Sequence, residues 1–245
     1  MTDEPRRFFV DEKLLRAKNV TLTGDLAHRL AKVLRYRRGD RIVLSGGGPR
    51  DFVVELTSIS GNGVTGLVVG EQPAPRDPTV EVVLYQSLIR ANRFDWVLEK
   101  ATEIGVTRFV PVIATRVQLQ LEEGAARAER WKRLIIEAAE QCERGKLPTI
   151  DAPVSFDDAV ARAPGLKLMP WEDEQQQKLG PYLRTLPQKP RTVSVFIGPE
   201  GGYEQSEVDL ARESGAVLVT LGRQVMRAET AAIVACGIVL HELDG

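Results

Sequence analysis

The sequence predicts an α/β protein in two parts: a small N-terminal β-barrel and a C-terminal α/β domain built on a parallel sheet. Three observations carry this. Short β-rich runs dominate residues 1–72. Residues 72–79, Gln-Pro-Ala-Pro-Arg-Asp-Pro-Thr, hold three prolines and read as a linker. Within residues 79–245, apolar strand-like runs alternate with helical patterns, which implies parallel strands joined by helices.

In the first part the β runs are residues 7–10, 19–22, 41–44, 51–58 and 63–69. Turns at Gly46-Gly47-Gly48 and Gly61-Asn62-Gly63 join them. One helix is expected over 25–35, with Leu26, Leu30, Val33 and Leu34 facing inward. Residues 61–66, Gly-Asn-Gly-Val-Thr-Gly, match the dinucleotide fingerprint letter for letter. That fingerprint requires a helix after its glycines. Residues 64–69 read as a strand instead, so the segment is a hairpin turn and a nicotinamide site is excluded.

In the second part the run 80–88 is mainly apolar, interrupted by Glu81, Gln86 and Ser87, and reads as a strand buried on both faces. A helix over 94–104 follows, with Gly105 as its C-cap. Then come a strand over 108–114, an amphipathic helix over 125–144, a short helix over 157–163 and a strand over 166–169. Residues 175–186 read as helical with an interruption near Gly180-Pro181. Strands over 193–197 and 216–221 and a last helix over 228–242 complete the order.

Composition narrows the function classes. A chain of 245 residues with 43% hydrophobic content supports a substantial core. It shows no apolar run of membrane-spanning length and no signal-peptide pattern, so a cytoplasmic protein without a membrane partner is expected. Cys142 and Cys236 stand alone, and His28 and His241 are the only histidines. A Cys/His metal site and a His-based triad are therefore not expected. The net charge of −1 conceals an excess of basic residues in 1–72. Arg29, Lys32, Arg35, Arg37, Arg38 and Arg41 crowd together with only Asp40 opposing them. The cluster reads either as a footprint for a phosphate backbone or as an ordinary solvated face.

Two loops are the most informative segments: residues 197–202, Ile-Gly-Pro-Glu-Gly-Gly, and residues 221–231, Leu-Gly-Arg-Gln-Val-Met-Arg-Ala-Glu-Thr-Ala. Each follows a strand and leads into a helix, which places both at the ligand-binding end of a parallel sheet. The first lacks the Gly-Lys-Ser ending of a P-loop, and Glu200 would repel a phosphate. A neutral or cationic ligand held by backbone groups suits them, and two ordinary tight turns are the plainer alternative.

Together these residues resemble the RsmE family, the SPOUT-class methyltransferases of small-subunit ribosomal RNA. The resemblance runs through Arg6-Arg7-Phe8-Phe9-Val10, His28…Val33-Leu34-Arg35…Gly39-Asp40, and Lys100-Ala101-Thr102-Glu103-Ile104-Gly105-Val106. It continues through Glu137-Ala138-Ala139-Glu140-Gln141-Cys142…Arg144…Pro148 and ends on the two loops. It implies a PUA-like N-terminal barrel, a C-terminal α/β-knot with a trefoil knot, a homodimer, and methyl transfer from S-adenosylmethionine to N3 of a uridine in 16S rRNA. A SPOUT methyltransferase acting on tRNA, or a non-catalytic RNA-binding module, are the alternatives.

The resemblance also implies site residues. Leu168, Met169 and Pro170 form one cofactor-binding segment. Ile197, Gly198, Pro199, Glu200, Gly201 and Gly202 form the second. Leu221, Gly222, Val225, Met226, Arg227 and Ala231 form the third. Arg227 is the expected catalytic group, stabilising charge on the uracil oxygens. Glu229 is the candidate proton acceptor, with a role at the helix start as its alternative, and Thr230 is expected to help there. Glu200 is expected to cap the helix that follows it, with an approach to the donor's sulfonium as its alternative. Arg7, Arg35, Arg38 and Arg116 are the expected RNA contacts. Of Phe8 and Phe9, which point to opposite faces of a strand, at least one belongs to the core. Ala228 stands where the family usually has Thr, and Met226 where Leu is common.

Overall fold

The computed structural model describes residues 5–60, 63–117 and 124–244. The chain forms two units, one of Met1–Asp77 with Ala139–Leu147 and one of Pro78–Ala138 with Pro148–Gly245.

The first unit contains β1 (Arg7–Phe9), a 3-10 helix (Glu12–Arg16), β2 (Asn19–Leu22), α1 (Gly24–His28), β3 (Arg41–Ser45), β4 (Arg50–Ser60) and β5 (Gly63–Pro73). Among the described residues its strands form a mixed sheet in the order β1-β3-β4-β5-β2. β1 runs parallel to β3, and the other pairs are antiparallel. β4 and β5 slip register between Val53 and Val54 and again between Leu56 and Ser58. Such bulges bend a strand and strengthen its twist. The curved face closes over Phe8, Leu22, Leu30, Ile42, Leu44, Val54, Leu56 and Val64, each almost fully buried. Gly61 and Asn62 lie outside the described residues. Gly63 opens β5, so a strand follows the glycines and no dinucleotide fingerprint is formed.

The helix expected over 25–35 is shorter and irregular. α1 gives way to a π turn over Arg29–Val33. There the Leu34 N–H donates five residues back, to the Arg29 carbonyl (2.9 Å). The wider turn breaks the regular helical phase, and Val33, expected inward, is 63% exposed.

Arg7 is also not where the sequence suggested. Its guanidinium is 6% exposed and sits 2.6 Å from Asp51 Oδ2. It donates as well to Ser45 Oγ (2.6 Å), to the Arg144 carbonyl and to the Gly145 carbonyl (3.1 Å). Every side of the cation is engaged, and a phosphate cannot reach it. Phe8 is the core member of the aromatic pair, and the Arg7 guanidinium covers the Phe9 ring at 4.4 Å.

In the second unit all strand neighbours are parallel: β6 (Glu81–Ser87), β7 (Arg108–Ile113), β8 (Thr149–Ile150), β9 (Val154–Ser155), β10 (Leu166–Pro170), β11 (Thr192–Ile197) and β12 (Val217–Val219). The order is β12-β10-β11-β6-β7-β8, with β9 also on β7. α2 (Ala91–Ile104), α5 (Leu179–Arg184) and α7 (Ala228–Asp244) cover one face. α4 (Phe156–Arg162) and α6 (Gln205–Glu213) cover the other. Both faces being covered explains why β6 is buried at every position after Glu81, Gln86 and Ser87 included.

α3 runs over Gly124–Gln141, three residues short of its predicted end. Glu143 takes a left-handed conformation (φ 58) and breaks the helix, and the Arg144 guanidinium turns to Asp77 (3.0 Å). α5 starts only at Leu179, so Gly180-Pro181 falls in its first turn, where a missing N–H costs nothing.

Candidate functional site

β10 lies between β11 and β12, and the three run parallel. Their C-terminal ends therefore open at one end of the sheet, the place where open α/β sheets accept ligands. The three loops that leave them meet around two adjoining cavities. The larger, about 220 Å³, lies between the Ile197–Tyr203 turn and residues 225–228. The smaller, about 100 Å³, lies between residues 170–172 and 220–226. Pro170, Glu172, Val225, Met226 and Ala231 line both.

Local chemistry shapes each loop. Gly202 adopts φ 69, and a Cβ there would run into the Glu172 carboxylate. Gly222 adopts φ 146 with open space where a side chain would project, so at this position only backbone faces the smaller cavity. The Thr220 hydroxyl pins this turn, accepting from the Gly222 N–H (3.3 Å) and donating to the Gly222 carbonyl (3.0 Å). Behind the first loop, Tyr203 is buried and receives a 3.5 Å hydrogen bond from Ser87, while burial holds its phenol above the ordinary value. Tyr203 is thus a neutral prop for the loop.

Charged groups brace the first loop from outside. Arg116 Nη1 donates to the Gly201 carbonyl (2.9 Å), and its Nε lies 3.8 Å from Glu204. Glu204 and Glu207 form a capping box at the start of α6. Glu207 also accepts from the Thr115 N–H (2.8 Å). Glu200 does not cap α6 as expected, because Glu204 fills that role. It accepts instead from the Arg90 N–H (3.2 Å) at the entrance to α2 and lies 3.5 Å from Arg93. Arg93 in turn approaches Glu229 at 3.6 Å.

The cleft is thus bordered by backbone and apolar side chains, with arginines at its edge and two acidic groups, Glu172 and Glu200. It suits a largely uncharged planar ligand with a cationic portion. Among the described residues, no group of three His, Cys, Asp or Glu is placed to hold a metal ion.

The model of an RNA methyltransferase domain matches residues 75–240. Ribosomal RNA small subunit methyltransferase E of Synechocystis sp. is 33% identical, over 91% of this chain and 73% of its own length. The chain belongs to the ribosomal RNA small subunit methyltransferase E family. The family member from Bacillus subtilis is 26% identical and aligns over 98% of this chain and 97% of its own. The Neisseria gonorrhoeae member, solved bound to S-adenosylmethionine, superposes with a TM-score of 0.85 at 28% identity, covering 95% of both chains. A Legionella pneumophila methyltransferase, also solved with S-adenosylmethionine, gives 0.90 at 26% identity over 97% of this chain and 98% of that one.

Against the residues that the family resemblance implied, the structure draws several distinctions. Pro170, Ile197, Gly198, Pro199, Glu200, Gly202, Leu221, Gly222, Val225, Met226, Arg227 and Ala231 all line the two cavities. Leu168 and Met169 do not. Both are fully buried, on opposite faces of β10, and they belong to the two hydrophobic cores. Gly201 turns its carbonyl to Arg116, which makes Arg116 a brace of this loop. Glu229 faces Arg93 and is not among the lining residues.

Arg35 and Arg38 are exposed, together with Lys32 and Arg37. Arg29 and Arg41 are paired with Glu140 and Glu55. The sequence reading missed Glu172, Arg93, Tyr203 and Thr220. Glu172 lies two residues past Pro170, where the expected segment stopped. Arg93 gave no signal, because it reaches the cleft from α2, a distant part of the sequence.

Proposed function

We propose that this chain transfers a methyl group from S-adenosylmethionine to N3 of a uridine in 16S rRNA of the small ribosomal subunit. The observation that carries the reading is the meeting of three loops from β10, β11 and β12 on one two-lobed cleft. The donor supplies an electrophilic methyl group on a sulfonium. The residues of the chain do the rest. Glycine-rich backbone and the apolar surfaces of Ile197, Met226 and Ala231 hold the adenosyl portion.

The acceptor nitrogen carries a proton in neutral uridine, and its loss to solvent water spreads negative charge onto the uracil oxygens. Arg227 lines the larger cavity, is exposed, and its guanidinium makes no hydrogen bond or ion pair among the described residues. It is the cation available to stabilise that charge. Glu229 serves to hold Arg93 rather than to accept the proton. Exposed Arg35 and Arg38 meet RNA phosphates. The same reading includes a cytoplasmic homodimer, a PUA-like first unit and a trefoil knot in the second. Half-buried Ile233, Val234 and Gly237 on apolar α7 favour a helix that a second copy covers.

The test is methylation of small ribosomal subunits from cells that lack this gene, followed by primer extension. A stop at one uridine of 16S rRNA is expected, because an N3 methyl blocks base pairing. Label appearing only in tRNA would replace the substrate, and donor binding without transfer to any RNA would make the chain a non-catalytic module. Arg227→Ala should abolish transfer and leave donor affinity nearly unchanged in calorimetry; full activity in that variant would remove Arg227 from the mechanism.

A further inference from the structure

Five residues border both lobes of the cleft, and four of them, Pro170, Val225, Met226 and Ala231, are apolar. The fifth is Glu172. It is exposed and makes no hydrogen bond or ion pair among the described residues. Its carboxylate stands beside Gly202, whose φ of 69 and lack of a side chain leave it room. Glu200, the other acidic lining group, differs in that Arg93 already lies 3.5 Å from it. The waist of the cleft therefore carries one carboxylate that no ion pair engages, while Arg227 and Arg223 each line one lobe only.

We infer that Glu172 meets the positive sulfur of the methyl donor and is the residue that distinguishes donor from demethylated product. This rests on the donor reading above. A ligand that spans both lobes has its middle at the waist. In S-adenosylmethionine the middle, between the adenosyl and methionine portions, is the sulfonium. Transfer of the methyl group leaves a neutral thioether, so attraction to Glu172 ends with the reaction. The carboxylate favours loading of the donor and weakens the hold on the product, an electrostatic discrimination between two ligands of nearly the same shape.

The test is isothermal titration of the full chain with S-adenosylmethionine and, separately, S-adenosylhomocysteine. For Glu172→Gln the donor Kd should rise about three- to fivefold, the size expected of a partly exposed charge pair, with the product Kd unchanged. Glu172→Asp should fall between. In the wild type, raising salt should narrow the preference for donor over product. Equal weakening of both ligands would overturn the inference, since the carboxylate would then meet the ammonium that both share or merely shape the loop. No change in either would overturn it too. A wild-type chain that binds neither ligand would instead remove the donor reading, and this inference with it.

Discussion

Arg7 and Arg116 look alike in the sequence and have nothing in common in the structure. Arg7 is locked on a fully buried Asp51. Removing one partner of such a pair strands a charge and typically costs about 3–5 kcal/mol, so Arg7 belongs to stability. Arg116 is about half exposed, and its one short hydrogen bond goes to the Gly201 carbonyl. Its role is to fix the backbone that faces the cleft. For a half-exposed group that bond is worth ~1 kcal/mol. Arg116→Ala should therefore raise the Kd for S-adenosylmethionine roughly fivefold. RNA affinity and its salt dependence should stay as in the wild type. A salt slope that falls while donor affinity holds would return Arg116 to the RNA side.

At the scale of elements, the sequence was legible where periodicity and glycine act locally. β6, β11 and the C-cap of α2 at Gly105 (φ 118) sit where pattern and chemistry place them. The loops at 197–202 and 221–231 announced a site because glycines interrupt strand-to-helix transitions. Burial in three dimensions was not legible. Nothing local in Leu168 or Met169 tells a strand end that lines a cleft from one that fills two cores. Nothing in Arg29 or Arg41 reveals the partner that each acquires. The π turn was equally hidden, because a regular helix was the default for residues 25–35, yet it decides the surface of this segment. It ends at Arg35 in a left-handed conformation (φ 56), and Lys32, Arg35, Arg37 and Arg38 remain exposed. If this segment is the phosphate platform, Arg35→Glu with Arg38→Glu should weaken binding to 16S rRNA. It should also lower the slope of log K against log salt by about 2, roughly one per lost contact. Donor affinity should not move, since the cleft is built entirely from the second unit. An unchanged salt slope would leave the cluster a solvated face.

Across the whole molecule, each unit has its own core; burial raises the Tyr36 phenol in the first, and a thiol and two phenols in the second. Cys236, fully buried on α7, has its thiol pushed up from an ordinary value near 9 to about 12 by burial. Burial also raises Tyr203 and Tyr85. All three lie in the second unit. In each case the folded chain holds the proton more tightly than the unfolded chain. Their contribution to stability is complete below the unfolded pKa and is lost as pH rises toward the folded one. The loss begins near pH 9 for Cys236 and higher for the tyrosines. Chemical denaturation between pH 7 and 11 should show stability level at first and declining above about pH 9. Hydrogen exchange should show the decline first in α7 and in the strands beneath it. Cys236→Ala removes the earliest of these groups, so its stability curve should stay level further into the alkaline range, whatever the variant loses at pH 7 to the smaller side chain. A wild-type curve that stays level through pH 11, or an alanine variant that falls from the same pH as the wild type, would show that this thiol ionises as freely in the folded chain as in water.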